Sequence, residues 1–237
     1  MLRVRPLIHT SDIYGSARFL QALGLHPAKD PAPGASSAVF DAGSGRVALR
    51  SCAPGSVEEG RTALAFDVAD VRGFARRTTE AGTAVELSEE DHGPAARVTS
   101  PDGMSLLAGA GPRETGAPPS ALAVLALWYT PDVEAAAGVL KDMGAKPRIS
   151  SDAGTSHHFK AKNGGVVATH VGEVVATELA FEYDGDVRDL VPALTAGGFE
   201  PVVVDRNCGL SLRVGAPWGA DVRVDEWRQD VHGPAVR

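Results

Sequence analysis

Histidines gather at one place in this 237-residue chain: His157, His158 and, twelve residues after the second, His170. Imidazole can take and release a proton near neutral pH, or ligate a divalent metal through its unprotonated nitrogen. Successive residues of a strand face opposite sides, so at most one of His157 and His158 can join His170. A surface pair on a strand is the simpler reading of the two. Aromatic residues are scarce, at 5%, which draws attention to Trp128 and Tyr129 on one run and Tyr183 on the next. Such rings can stack a planar ligand, although core packing is the usual role of a Trp such as Trp128. Trp218, in a turn, is expected either to cover a pocket mouth from an exposed position or to cap a sheet. Other reactive constellations are missing from the sequence: no GxxxxGK[ST] phosphate loop, no GxSxG nucleophile turn and no paired CxxC occurs.

The elements that must carry these residues follow an internal repeat. Four times an apolar run leads into an aspartate that is followed twelve residues later by a glycine: Asp12 and Gly24, Asp70 and Gly82, Asp132 and Gly144, Asp186 and Gly198. Asp accepts hydrogen bonds from the free amides of a helix's first turn, and Gly closes a helix at least cost in the left-handed conformation. Each pair therefore brackets a helix of about three turns. The helices show apolar faces at Ala17, Leu20 and Leu23, at Ala136, Val139, Leu140 and Met143, and at Val187, Leu190, Val191 and Leu194. The second is weaker, with Val71, Phe74 and Ala75 running into the solvated Arg76–Arg77–Thr78–Thr79. A strand-like run precedes each helix (4–9, 63–68, 122–129, 177–183) and three short extended segments follow it. Turn signals separate many of them: Pro31–Ala32–Pro33–Gly34, Gly43–Ser44–Gly45, Pro101–Asp102–Gly103, Asn163–Gly164–Gly165 and Pro217–Trp218–Gly219.

Every repeat thus reads strand, helix, strand, strand, strand, an α+β pattern. Repeats one and three superpose without a gap when 120 is added to the number, so that Asp12 meets Asp132, Gly45 meets Gly165 and Arg50 meets His170. Repeats two and four superpose with one inserted residue, Pro101–Asp102–Gly103 meeting Pro217–Trp218–Gly219. The chain is a duplicated pair: a first unit at 1–108, a Gly- and Pro-rich linker at 109–120, a second unit at 121–227 and a loose tail at 228–237. Glu89–Glu90–Asp91 reads as a solvated loop.

Net charge is −7 and no basic run exists, so nucleic acid is not an expected partner. No run approaches the ~18 apolar residues of a membrane span, and the segment MLRVRPLIHTSD turns polar too soon for a signal peptide. Cys52 and Cys208 lie in different units without metal spacing, and a cytoplasmic protein with reduced thiols is expected.

A strand-helix-three-strand module used in pairs resembles the vicinal oxygen chelate superfamily, which includes glyoxalase I, extradiol dioxygenases, fosfomycin-resistance enzymes and bleomycin-resistance proteins. Residues 16–25, SARFLQALGL, resemble its opening helix, with Phe19–Leu20 where relatives usually have Phe-Tyr. Residues 64–71, LAFDVADV, resemble the strand entering its second module, and Ser100–Pro101–Asp102–Gly103 its closing turn. Leu179–Ala180–Phe181–Glu182–Tyr183 repeats the leading strand in the second unit. The resemblance implies four βαβββ modules paired into two glyoxalase-like domains, each a mixed sheet curled into a cup.

It also implies where relatives hold metal ligands: early in the first strand and late in the last strand of each module. Those positions fall near Arg5, Arg50, Ala63 and Leu107 in the first unit, where no side chain offers a usable lone pair. In the second they fall near Leu125, His170, Glu178 and Arg223, of which two are ligand-type. A catalytic site usually takes three protein ligands. Asp225, on the same strand face as Arg223, completes a His170–Glu178–Asp225 set only with a shifted register. The competing reading has Glu178 paired with Arg223 across the cup, with His170 hydrogen-bonded nearby and no cofactor. Arg5, His9 and Arg50 form a small cationic site for a carboxylate or phosphate if they share the first cup's inner face, or else face solvent or bridge the units. Tyr129, Trp128 and Tyr183 line or flank the second cup. The expected ligand contacts are Arg5, His9, Arg50, Tyr129, His170, Glu178, Arg223 and Asp225. The function implied is binding of a small organic molecule without a metal, as in bleomycin-resistance-type sequestration, by a monomer or homodimer. The alternative is a lyase, isomerase or dioxygenase-like enzyme that uses His170 and Glu178, with or without a divalent metal.

Overall fold

A computed structural model describes residues 2–29, 34–90, 93–206 and 209–227. Pro31, Ala32 and Pro33 of the first turn signal, Asp91, Cys208 and the tail from Arg228 lie outside the described residues. The first repeat holds β1 (Leu2–Val4), β2 (Leu7–Thr10), α1 (Ile13–Ala22), β3 (His26–Pro27), β4 (Ser37–Asp41) and β5 (Arg46–Ser51). The second holds β6 (Thr62–Ala63), β7 (Ala65–Val68), α2 (Val71–Ala81), β8 (Val85–Glu90), β9 (Gly93–Thr99) and β10 (Ser105–Ala110). The third holds β11 (Leu122–Thr130), α3 (Val133–Asp142), β12 (Lys146–Ser150), β13 (Ser156–Lys160) and β14 (Val166–Val171). The fourth holds β15 (Ala176–Tyr183), a 3-10 turn (Val187–Leu190) running into α4 (Val191–Ala196), β16 (Val202–Arg206), β17 (Gly209–Gly215) and β18 (Asp221–Glu226).

The helix punctuation works as its chemistry requires. The carboxylates of Asp12, Asp70 and Asp132 accept from the amides of Gly15, Gly73 and Ala135, and Gly24, Gly82, Gly144 and Gly198 all take positive φ. The fourth helix departs from the expectation of three regular turns. Pro192 has no N–H to close an α-helical bond, so the segment from Asp186 opens as a 3-10 turn and only six residues are α-helical. Two leading strands are also broken. Run 4–9 splits at Arg5–Pro6, where Pro6 has no N–H to give to a ladder, and run 63–68 splits at Leu64. Glu89 and Glu90 belong to β8 rather than to a loop, and Gly109 and Ala110 to β10 rather than to the linker.

The second half is one eight-stranded sheet of order β12-β13-β14-β11-β15-β18-β17-β16. The first half makes two five-stranded sheets, β3-β4-β5-β2-β6 and β1-β7-β10-β9-β8. Read through its two broken strands, it repeats the order of the second half. The pairs β2–β5, β7–β10, β11–β14 and β15–β18 are parallel, and the other strand pairs are antiparallel, giving the mixed sheets of paired βαβββ modules. One face of every sheet packs on the helices: Val124, Ala126 and Trp128 of β11 join Leu179, Phe181 and the apolar faces of α1 and α3 in a common core. Helix α1 meets α4, and α2 meets α3. No described helix is long and apolar enough to cross a membrane.

The halves are joined by reciprocal contacts. Ser44 N donates to Leu122 O at 3.2 Å, and Ser44 O accepts from Val124 N at 2.8 Å. In return, Asn163 N donates to Leu2 O at 2.8 Å, and Gly164 O accepts from Val4 N at 3.0 Å. Between them Gly45 (φ 87°) and Gly165 (φ 86°) lie back to back. A Cβ on Gly165 would come 2.5 Å from Cβ of Val4, and one on Gly45 2.8 Å from Cβ of Val124. Gly165→Ala is therefore expected to destabilise by about 2–4 kcal/mol, from the left-handed backbone penalty plus overpacking. Gly144→Ala, with φ 92° and nothing within 4 Å of the new Cβ, should lose only about 1–2 kcal/mol. Urea unfolding of the two variants distinguishes the effects; equal losses would show that the close approach carries no energy.

Candidate functional site

The sheet face turned away from the helices in the second half is the second cup, and strand register sets its layout. On β11, Leu125, Leu127 and Tyr129 face inward opposite Val166, Ala168 and His170 of the parallel β14. On the other side Leu127 faces Glu178, and Leu125 faces Ala180, of the antiparallel β15. Ala180 and Glu182 in turn neighbour Arg223 and Asp225 of β18. Leu125, Leu127, Val166, Ala168 and Ala180 form a small buried apolar cluster against which Tyr129 packs. The floor of the cup is therefore hydrocarbon, and the polar groups stand around it.

Those polar groups interact closely. The Tyr129 hydroxyl donates to Glu178 Oε2 at 3.1 Å. The Tyr129 ring lies 5.9 Å from the His170 ring, and His158 stands 5.4 Å from His170 at an interplanar angle of 67°. Arg223 Nε is 2.8 Å from Asp225 Oδ2, an ion pair by distance although its N–H is not aimed along that line, and Ser211 donates to Asp225 Oδ1 at 2.7 Å. Burial pushes the His170 imidazole below its ordinary value, and the Arg223 guanidinium pushes the same way against the pull of Glu178. His170 is thus held neutral, and its buried Nε2 has no hydrogen-bond partner among the described residues. Burial raises the Tyr129 phenol, and the Glu178 carboxylate adds to the rise. A cavity of about 470 Å³ opens beside this group, lined by Leu127, Tyr129, Glu178, Trp218 and Arg223 among others, and bordered by Gly60 and Thr62 of the first half. It lies where β15 and β18 diverge, since their pairing begins only at Ala180 and Arg223.

Five of the eight residues singled out in the sequence meet here: Tyr129, His170, Glu178, Arg223 and Asp225. Alternation sends His158 to His170, while His157 turns the other way to Glu134 and Ser150, each at 2.8 Å. Three expectations need correction. Arg223 pairs with Asp225 and not with Glu178, because Glu178 stands one strand level away, opposite Leu127. Tyr183 packs with the helix-side core, since odd-numbered residues of β15 face that way. Trp218 is 5% exposed; its ring meets Phe19 edge-on at 5.2 Å and it lines the cavity from a buried position. Arg213 and Asp221 also border the cavity, although sequence reasoning missed them. Asp221 shares the strand face of Arg223 by simple alternation, whereas Arg213 becomes visible only through the β17–β18 register.

Arg5, His9 and Arg50 belong to the first cup and do not form a free cationic site. Arg5 Nε is 2.5 Å from Asp67 Oδ1, and Arg46 also reaches Asp67, so the charge of Arg5 is spent locally. His9 and Arg50 are strand neighbours, and Arg50 is exposed. The floor of this cup is a cluster of Leu7, Ala48 and Ala65, with Val39, Ala63 and Leu107 packed on it.

The residues present do not fit a metal of the kind relatives hold. Among the described residues no group of three or more His, Cys, Asp or Glu side chains is arranged to hold a metal ion. His170, Glu178 and Asp225 occupy different levels of the cup, and Arg223 stands among them with Asp225 already engaged.

The profile of the Glyoxalase/Bleomycin resistance protein/Dioxygenase superfamily matches residues 4–108, and the fold repeats the same module pair across the second half. Residues 4–108 belong to this superfamily, and the second half shares its fold. Among solved structures, the 2,3-dioxygenase LapB from Pseudomonas sp. KL28 is similar at 14% identity and TM-score 0.65, over 99% of this chain and 94% of that one. Homoprotocatechuate 2,3-dioxygenase from Brevibacterium fuscum is similar at 18% identity and TM-score 0.64, over 98% of this chain and 82% of that one. A Mn(II)-bound glyoxalase from Novosphingobium aromaticivorans is similar at 20% identity and TM-score 0.60, over 94% of this chain and 80% of that one. At these identities the likeness is one of fold. No curated protein sequence matches. The shared fold thus accounts for the cups, and the side chains in them must account for function.

The lowered His170 has a consequence for stability. The unfolded chain, with its imidazole at the ordinary value of 6.5, binds a proton that the folded protein refuses, so stability falls as pH drops below that value. An NMR titration should place the His170 midpoint below 6.5 and raise it in Arg223→Gln. His170→Gln should flatten the loss of stability between pH 7 and pH 5; an unchanged slope would mean that His170 titrates normally.

Proposed function

We propose that this chain is a small-molecule-binding member of the superfamily, that its second cup is the working pocket, and that it binds without a metal. The observation that supports this most is the cavity itself. Its volume of about 470 Å³ lies within the range of small-molecule sites, about 300–1,000 Å³. It combines an apolar floor with a few convergent polar groups, the usual composition of such sites. Sequestration or resistance needs no more than this. A second reading is favoured by one specific feature: a neutral imidazole with a buried, unpartnered Nε2 beside the Tyr129–Glu178 pair. His170 there can accept a proton from a carbon acid next to a carbonyl, and Tyr129 can orient the oxygen. We place the protein in the cytoplasm, since Cys52 is a free thiol, and read it as a monomer, because the four modules complete their pairing within one chain.

Leu127→Trp fills the cup floor from a rigid strand and leaves the helix-side core untouched. In a thermal-shift screen of small organic compounds, ligands that stabilise the native protein should lose their effect in this variant. Metal chelation should leave both the melting temperature and ligand stabilisation unchanged, and a chelator-sensitive ligand would overturn the metal-free reading. If the protein turns a ligand over, His170→Ala should lower kcat by about 10²–10⁴-fold, measured as product formation, while binding persists.

A further inference from the structure

Four charged side chains border the cavity of the second cup, and they stand in two tiers. Arg213 of β17 and Arg223 of β18 are direct cross-strand partners. Side chains so placed have Cβ atoms about 5 Å apart, and like charges facing each other in this way repel. Arg223 meets one carboxylate, Asp225, through Nε. Arg213 makes no ion pair among the described residues. Two residues earlier on β18 stands Asp221, and two residues before Ala180 on the parallel β15 stands Glu178. Because Ala180 is level with Arg223, these two carboxylates lie to the same side of the arginine pair, each about 7 Å along its own strand, where β15 and β18 are no longer paired. Among the described residues, Glu178 is engaged only by the neutral Tyr129 phenol, and Asp221 has no ion-pair partner. No ion pair joins the basic tier to the acidic one. Leu127, Ala180 and Trp218 line the same cavity.

This layout discriminates among ligand classes. A simple anion at the arginines would also meet two carboxylates. A simple cation at the carboxylates would meet two guanidinium groups. A neutral ligand would use none of the four charges for an ion pair. We infer that the second cup takes a small zwitterion. Its carboxylate lies on Arg213 and Arg223, its ammonium group between Glu178 and Asp221, and a short flat or apolar body on Leu127 and Trp218. The inference rests on the reading of this cup as a ligand site, and it adds the ligand's charge pattern and span. The fork geometry of arginine suits a carboxylate, and the tier spacing calls for charges about 7 Å apart rather than the adjacent charges of an α-amino acid.

The test uses 4-(aminomethyl)benzoate against three analogues of the same body: 4-methylbenzoate, benzylamine and uncharged 4-methylbenzamide. Binding to the full chain is measured by calorimetry. The zwitterion is expected to bind at least tenfold more tightly than each analogue. Arg213→Gln and Asp221→Asn, both at exposed positions, should each weaken the zwitterion at least tenfold. The same variants should respectively leave benzylamine and 4-methylbenzoate unweakened. If a singly charged or neutral analogue binds within tenfold of the zwitterion, the zwitterion inference is overturned while the cup remains a ligand site. The same holds if the zwitterion fails to bind but another compound binds and is excluded by Leu127→Trp. If Leu127→Trp excludes no compound, both readings fall.

Discussion

The molecule is organised around the close crossing of two glycine turns. Gly45 and Gly165 can approach back to back only because neither carries a Cβ, and the left-handed backbone that both adopt is cheap for glycine alone. Their approach lets each turn hydrogen-bond the first strand of the other half, so β1 is held by the turn at 163–164 and β11 by the turn at Ser44. Buried Arg3 extends the joint by donating to the carbonyls of Asn163, Pro112 and Arg113, which ties the linker to both halves. Helices α1 with α4 and α2 with α3 then meet across one core. The cups are the faces left over, and their orientation follows from this joint.

A shared backbone did not impose shared chemistry. Where the first half places His9 and Arg50 side by side, the second places Tyr129 and His170. The inner ends of the first cup are tied up by Arg5, Asp67 and Arg46, whereas Glu178 and Asp221 have no cationic partner among the described residues. The closing turns differ as well. In the first half Asp102 of the turn accepts from the indole of Trp128 at 3.0 Å. Burial alone would raise that carboxyl, but hydrogen bonds from Ser100, Thr130, Met104 and Trp128 hold it below its ordinary value. In the second half the turn itself supplies the indole, Trp218, which packs on Phe19 and borders the cavity. One exchange of an acid for a large ring, at equivalent positions, changes a polar joint into a pocket wall.

At the far end of the second cup, Arg148 reaches from β12 across the sheet to Glu182 of β15 at 2.7 Å and lies over the ring of Trp227. These residues draw the curled sheet together on the side away from Tyr129 and His170. The cavity is therefore approached from the end where β15 and β18 diverge, the end that carries the unpaired charges.

Much of this was legible in the residues alone, because its causes are local. An aspartate caps a helix with its own carboxylate, a glycine accepts positive φ wherever it stands, and alternation along a strand is a matter of counting. The four helices, the sequence of elements in each repeat, the gapless overlay of Gly45 on Gly165 and the separation of His157 from His158 all follow from such rules. Pro6 and Pro192 were equally local, and their missing N–H groups broke a strand and a helix that the apolar pattern made continuous. What tertiary structure alone decided is which side chains meet across strands. Register places Leu127, not Arg223, opposite Glu178, sets Arg213 against Arg223, and turns Tyr183 toward the helices. These facts depend on pairings between residues tens of positions apart, fixed by packing of the whole sheet and by the glycine crossing. The backbone plan was thus a property of the sequence read along the chain, and the charge pattern of the cup a property of the chain folded on itself.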